Sequence, residues 1–307
     1  MKLAFFDDYK LGVVKGDNVV DVSSAVSGVA QTSPQDLINR VIEGFDGHRA
    51  AIEAIVNAED GLPISSVHVR PPLPKPYTIV CMAVNYMEDG TRDEPAPINA
   101  FQKSPHCIVG PGETIILPDI PATIFEFEAE MAFVIGKRAE FVKPEDAYDY
   151  IFGYLNFIDG SARGVLPPGN TFYQMKSRAT FAPIGPYIVT ADEYTNPLSR
   201  QVVLKVNGEV KQNYNTSDMA HQIPRIMEWV TSIHPLEPGD IVATGTNHRG
   251  LSALMDGDVI DLECEGLGNL HLNVRDDLKR TWARETRLDR QNQGFDTTTP
   301  QLTGKYS

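Results

Sequence analysis

Cysteine is scarce in this sequence: Cys81, Cys107 and Cys264 are the three present in 307 residues, and they form no Cys-x-x-Cys pair. That excludes a disulfide framework, leaves no structural zinc motif, and suits a reducing compartment. Positive charge is also short. With 27 Lys and Arg against 41 Asp and Glu, the net charge is −14. A chain so acidic lacks the basic face that nucleic acid or an anionic membrane requires, so neither is expected as a partner. A small anionic ligand stays open, because it needs only a local group of Lys and Arg. Long apolar runs are missing too. Nothing approaches the roughly 20 residues of a membrane helix. The opening MKLAFFDDYKLGVV is broken by Asp7 and Asp8 before a signal-peptide core develops. The expectation is a soluble, cytoplasmic protein. Hydrophobic residues make up 42% of the chain, enough to bury a sizeable core and to exclude disorder as the main state.

The first 24 residues read as a meander of short strands, with Gly16-Asp17-Asn18 suited to a tight turn. Over 34–58 the period changes: Leu37, Ile38, Val41, Ile42, Ile52 and Ile55 recur at helical spacing, after Ser33 as a cap and Pro34 as a first helical residue. Pro71, Pro72, Pro74 and Pro76 then stiffen a connector that reads as a boundary. The expected organisation is a small N-terminal α+β domain at 1–70, a β-rich catalytic domain at 77–285, and a polar tail at 286–307. Strand signals dominate after residue 77, interrupted by helices expected near 144–153 and 218–232. The tail is expected to be mobile, or ordered only against another subunit.

The segment from Phe125 to Gly136, FEFEAEMAFVIG, carries the most chemistry. Strand alternation puts Glu126, Glu128 and Glu130 on one face and Phe125, Phe127, Ala129 and Met131 on the other. Stacked carboxylates repel unless water or a cation intervenes, and an oxygen-lined site for Mg²⁺ or Mn²⁺ resolves that repulsion. The plain alternative is a solvated outer face. Downstream, Asp159 stands before Gly160, where it reads either as a further ligand or as a turn cap. Lys176 lies in YQMKS, a position more usual for a surface lysine.

Taken together, these motifs resemble the fumarylacetoacetate hydrolase family over residues 77–275. FEFEAEM is similar to that family's D-Y-E-x-E-L strand and NFIDGSAR to its N-D-x-S-A-R segment. MKSRATFAPIGP, VNGEVKQNYNTSDM and LEPGDIVATGT follow in the family's order. The resemblance implies an α+β fold, with a mixed β-sandwich or roll as its catalytic domain, and commonly a homodimer. It makes Glu128, Glu130 and Asp159 the metal ligands and Lys176 the cation beside the substrate oxygens. Gln212 and Thr246 become substrate contacts, and Arg163 either anchors a carboxylate or holds Asp159.

At the opening strand the chain departs from the family, which reads N-Y-x-x-H-x-x-E there and uses the His–Glu pair on a lid to activate water. This sequence has Asn85-Tyr86-Met87-Glu88-Asp89-Gly90-Thr91-Arg92. Asp89 holds the His position and Arg92 the Glu position, so the usual pair is absent. Asp89 and His248 are the groups left as acid–base candidates, and Arg249 could clamp a carboxylate. The expected activity is Mg²⁺- or Mn²⁺-dependent C–C hydrolysis of a small 2,4-dioxo acid. Decarboxylation, isomerisation or lyase chemistry on a 2-oxo acid is the alternative, and a ligand-binding protein without catalysis is a further one.

Overall fold

The computed structural model describes residues 1–169 and 172–307. In chain order its elements are β1 (Lys2–Phe6), β2 (Lys10–Lys15), β3 (Asn18–Asp21), α1 (Pro34–Glu43), α2 (Phe45–Ala58), β4 (Leu62–Pro63) and β5 (Val69–Arg70). Next come β6 (Ile79–Met82), β7 (Ala100–Gln102), β8 (Ile108–Val109), β9 (Thr114–Ile116), β10 (Ile124–Ile135) and β11 (Ile151–Arg163). Then follow α3 (Phe172–Lys176), β12 (Ala182–Thr190), β13 (Gln201–Val206), β14 (Glu209–Asn215), α4 (Ile223–Thr231) and β15 (Ile241–Ala243). The chain ends with β16 (Val259–Cys264), β17 (Leu270–Arg275), β18 (Thr281–Trp282), α5 (Arg287–Asn292) and β19 (Gln301–Thr303). This is a β-rich α+β fold, as expected. No helix among the described residues is long and apolar enough to cross a membrane.

One sheet runs in the order β4-β3-β2-β1-β12-β11-β10-β15-β6-β7, and a second in the order β14-β13-β16-β17-β9. The N-terminal meander forms as the alternation predicts. Ser33 Oγ accepts the Asp36 N–H at 3.2 Å, and Pro34 starts α1, where a missing N–H costs nothing. α1 lays Ile38 and Val41 on the face of the large sheet that also carries Ala132, Val134, Leu155 and Ile188. The proline connector does not divide the sheet: β1 pairs with β12 through Lys2↔Val189, and β5 pairs with β1 through Phe5↔Arg70.

Three local expectations are corrected. The helix expected at 144–153 is a 3-10 turn over Pro144–Tyr150, because residues from Ile151 onward pair with β10. The one near 218–232 is reduced to α4, with Pro224 in its first turn. The polar tail is ordered against its own chain. Thr286 and Asp289 cap α5 reciprocally, and β19 pairs with β18.

β10 and β11 position the chemistry. They are antiparallel, and Glu128 stands opposite Asp159 in their register. Every residue of β10 is buried, so the solvated outer face is excluded. Its even-numbered face is apolar at Ala132 and Val134, under α1, and acidic at Glu126, Glu128 and Glu130. Asp159 is not a turn cap: β11 passes straight through Gly160 and continues to Arg163. Gly160 is there for space. A Cβ at this position would lie 2.6 Å from the Phe127 ring and 2.9 Å from Phe181. Gly160→Ala is therefore expected to destabilise the protein by about 1–3 kcal/mol through overpacking. Urea denaturation checks this, and an unchanged midpoint would contradict it.

Candidate metal centre

Glu128, Glu130 and Asp159 each offer a carboxylate oxygen, and these atoms all lie within 4.8 Å of one another. All three side chains are buried, at 4%, 1% and 1% exposure. Cross-strand pairing brings Glu128 and Asp159 together, and the two-residue repeat of β10 adds Glu130 on the same face.

Cations surround most of this group. Lys176 Nζ donates to Glu128 Oε2 at 2.8 Å and also to Asp159 Oδ2. Lys103, whose side chain is fully buried, donates to the other Asp159 oxygen and to the Gly160 carbonyl at 3.1 Å. Arg163 bonds Glu128 and, through Nε at 3.0 Å, Glu126. Arg287 of the tail closes on Glu126 from the other side, with Nε at 2.9 Å. Glu130 differs. It accepts the Gly245 N–H at 2.7 Å, and no ion pair involves it among the described residues.

The electrostatics follow from those partners. Burial, reinforced by the Asp159 and Glu128 charges, pushes Glu130 well above the usual carboxylate range. Burial likewise raises Asp159, although Lys103 and Lys176 oppose it. Glu128 lies well below its ordinary value, since Lys176, Arg163 and His248 outweigh the burial penalty. Burial alone would lower Lys176, but the Asp159 and Glu128 carboxylates raise it, so it stays an ammonium. The donor set fits a divalent ion. Three oxygens of hard ligands converge, and the one carboxylate without a cation is the one under most strain.

Gln212 and Thr246 hold the site's backbone. β15 ends at Ala243, so the Ala129 peptide, between the two glutamates, has no strand partner on that edge. Gln212 Oε1 accepts the Ala129 N–H at 2.9 Å, while Thr246 Oγ1 at 2.7 Å and Tyr214 Oη both donate to its carbonyl. Gln212 Nε2 is spent on Thr246 Oγ1 and the Asn247 carbonyl, both at 2.8 Å. Both residues expected as substrate contacts therefore bond the backbone between the two glutamates.

The structure also places the other expected site residues. Arg163 holds Glu126 and Glu128; Asp159 is held by the lysines instead. Asp89 and Arg249 pair with each other at 3.0 Å, with Asp89 half exposed. The carboxylate buried beside His248 is that of Glu88. Sequence reasoning missed Lys103, Arg287 and the part played by Glu88. A hollow of about 770 Å³ between Ser33, Arg40, Pro74 and Tyr77 shares no residue with the carboxylate group.

Buried acids flanked by ammonium groups could hold a hard dication. Residues 78–275 match the family model for the fumarylacetoacetate (FAA) hydrolase C-terminal domain; the chain belongs to that family and is an enzyme. It is 31% identical to a maleylpyruvate hydrolase of Aquipseudomonas alcaligenes, over 90% of this chain and 99% of that protein. It is 32% identical to the oxaloacetate tautomerase YisK of Bacillus subtilis, over 84% of this chain and 93% of that one. Among solved structures it is similar to a maleylpyruvate hydrolase from Sphingobium sp. SYK-6 in complex with manganese(II) ion and pyruvate. The TM-score is 0.81 and the identity 33%, covering 90% of this chain and 99% of that chain.

Proposed function

We propose that the protein is a divalent-metal-dependent hydrolase that cleaves a small acylpyruvate-type 2,4-dioxo acid into pyruvate and a second carboxylic acid. The observation that carries this is the convergence of Glu128, Glu130 and Asp159 within 4.8 Å, with Lys176 across two of them. The similarity to maleylpyruvate hydrolases supports the substrate class. Mg²⁺ or Mn²⁺ suits the oxygen ligands, and the manganese in the related structure supports the latter. A bound ion would polarise the 2-oxo carbonyl and stabilise enolate charge as the C–C bond breaks.

The chain's own residues do the rest. Lys176 remains charged in a buried setting, where an ammonium acts strongly on an anionic oxygen, so it orients the 2-oxo acid. Lys103 fixes the second Asp159 oxygen, and Arg163 fixes the second Glu128 oxygen, which points both carboxylates inward. Gln212 and Thr246 keep Glu128 and Glu130 in register. His248 stands on the loop that begins at Gly245 and supplies acid–base chemistry, whereas Asp89 leaves the proposal because Arg249 occupies it. The homodimer and the cytoplasmic compartment remain part of this proposal.

The similarity to YisK favours oxaloacetate tautomerisation as a second reading, since keto–enol exchange uses the same enolate stabilisation. The test is turnover of acylpyruvates, maleylpyruvate among them, and of oxaloacetate, with Mg²⁺, with Mn²⁺ and with EDTA. Pyruvate released with a second acid, and lost in EDTA, is the expected result. Interconversion of oxaloacetate tautomers without any C–C cleavage would replace the first reading by the second.

A further inference from the structure

Glu88 and His248 lie outside the carboxylate triad, 160 residues apart in sequence, yet they meet. Glu88 is 6% exposed, and its carboxylate takes two hydrogens from one residue: the His248 backbone N–H at 2.9 Å and ring Nδ1 at 2.7 Å. The backbone is left-handed at Glu88 (φ 56°) and Asp89 (φ 55°) before Gly90 (φ 76°). That conformation costs roughly 1–2 kcal/mol for each non-glycine residue, so something must hold it. Cross-links between the two segments do so. Asp218 Oδ2 accepts both the Asp89 N–H at 3.1 Å and Asn247 Nδ2 at 3.3 Å, and Arg249 pairs with Asp89.

The other end of the same loop is fastened to the triad. Gly245 N–H bonds Glu130, Thr246 bonds the Ala129 carbonyl, and two residues later comes His248. The ring is partly exposed, at 20%, so water can reach it.

We propose that His248 is the proton-transfer residue of this site and that Glu88 is its positioning residue, which rests on the reaction proposed above. A carboxylate that accepts Nδ1–H fixes the tautomer whose basic nitrogen is Nε2. Nε2 takes a proton from water as the water oxygen bonds to C4 of the 2,4-dioxo acid. The C3–C4 bond then breaks, its electron pair goes to C3, and the proton returns from Nε2 to C3, leaving neutral imidazole and the two acids. Only water is consumed. The pair missing from the lid positions Asp89 and Arg92 is thus built from one residue earlier and from the loop after β15.

The test uses the full-length Mn²⁺-loaded enzyme on an acylpyruvate. His248→Gln is expected to lower kcat about 10²-fold, with KM within about threefold of wild type. Glu88→Gln should lose about 10–100-fold in kcat, and Glu88→Asp should recover part of that loss. Nitrogen-15 NMR should show the Nδ1–H tautomer of His248 in wild type and a mixture in Glu88→Gln. Mn²⁺ binding should be unchanged in each variant. His248→Gln keeping more than about half of kcat, or a Glu88→Gln ring with an unaltered tautomer, would overturn the assignment. If wild type cleaves no acylpyruvate, the functional reading fails, and the pair is tested separately by deuterium exchange at C3 of pyruvate in D₂O. Exchange lost in His248→Gln supports the pair; undiminished exchange overturns it.

Discussion

Glu130→Gln is expected to make the metal-free protein more stable while removing its activity. The other triad members have cationic partners, but Glu130 has the Gly245 N–H and two facing carboxylates. Its ionised form is therefore a net cost to the fold, which is why burial and its neighbours raise it well above the usual carboxylate range. A glutamine keeps the acceptor for Gly245 and offers donors to Glu128 and Asp159. Relief of about 1–3 kcal/mol follows, which is a rise of about 2–6 °C in the thermal midpoint measured in EDTA. Adding Mn²⁺ should reverse the order. Wild type gains about 2.7 kcal/mol at a free concentration 100 times its Kd, and the variant gains little. kcat/KM should fall about 10³-fold, equivalent to about 4 kcal/mol of lost charge stabilisation. A variant that is less stable than wild type in EDTA would show that Glu130 is held by something other than its ion.

Lys176→Met should act in the opposite sense on stability. The Lys176 ammonium bridges Glu128 and Asp159, so its removal leaves two buried carboxylates with one cation each: Arg163 on the first and Lys103 on the second. Taking one partner from such a group costs about 3–5 kcal/mol. Mn²⁺ should return much of that loss, because a dication answers the same carboxylates, so the metal-induced rise in midpoint should exceed that of wild type. Turnover should not return. Without an ammonium at the substrate oxygens, kcat/KM is expected to fall about 10²–10³-fold at saturating metal. Activity within about threefold of wild type would remove Lys176 from the reaction.

The local chemistry of one strand was largely readable. Alternation alone placed Glu126, Glu128 and Glu130 on a common face, and the motif order identified the family. Burial was not readable, because the covering groups come from far away: Lys103 follows β7, Arg287 lies in the tail, and each looks like an ordinary surface residue by itself. Gly160 was misleading for a related reason. Glycine after an acid signals a turn, yet here the side chains of Phe127 and Phe181 require it in mid-strand. The lid segment was legible only in part. Matching residues by position set Asp89 against the family's histidine, whereas the buried carboxylate of this segment belongs to Glu88, where the backbone is left-handed. No spacing rule reports that turn. The proline connector marked a change in local chemistry, but sheet pairing through β1 and β12 crossed it.

Titration of Mn²⁺ into wild type, Asp159→Asn and Glu130→Gln, followed by calorimetry and by the Mn²⁺ electron spin resonance signal, goes to the centre of this account. Wild type should bind one ion per chain, and each variant should bind at least about 10²-fold more weakly. Equal binding by all three proteins, or acylpyruvate turnover by wild type that persists in EDTA with no ion bound, would contradict it.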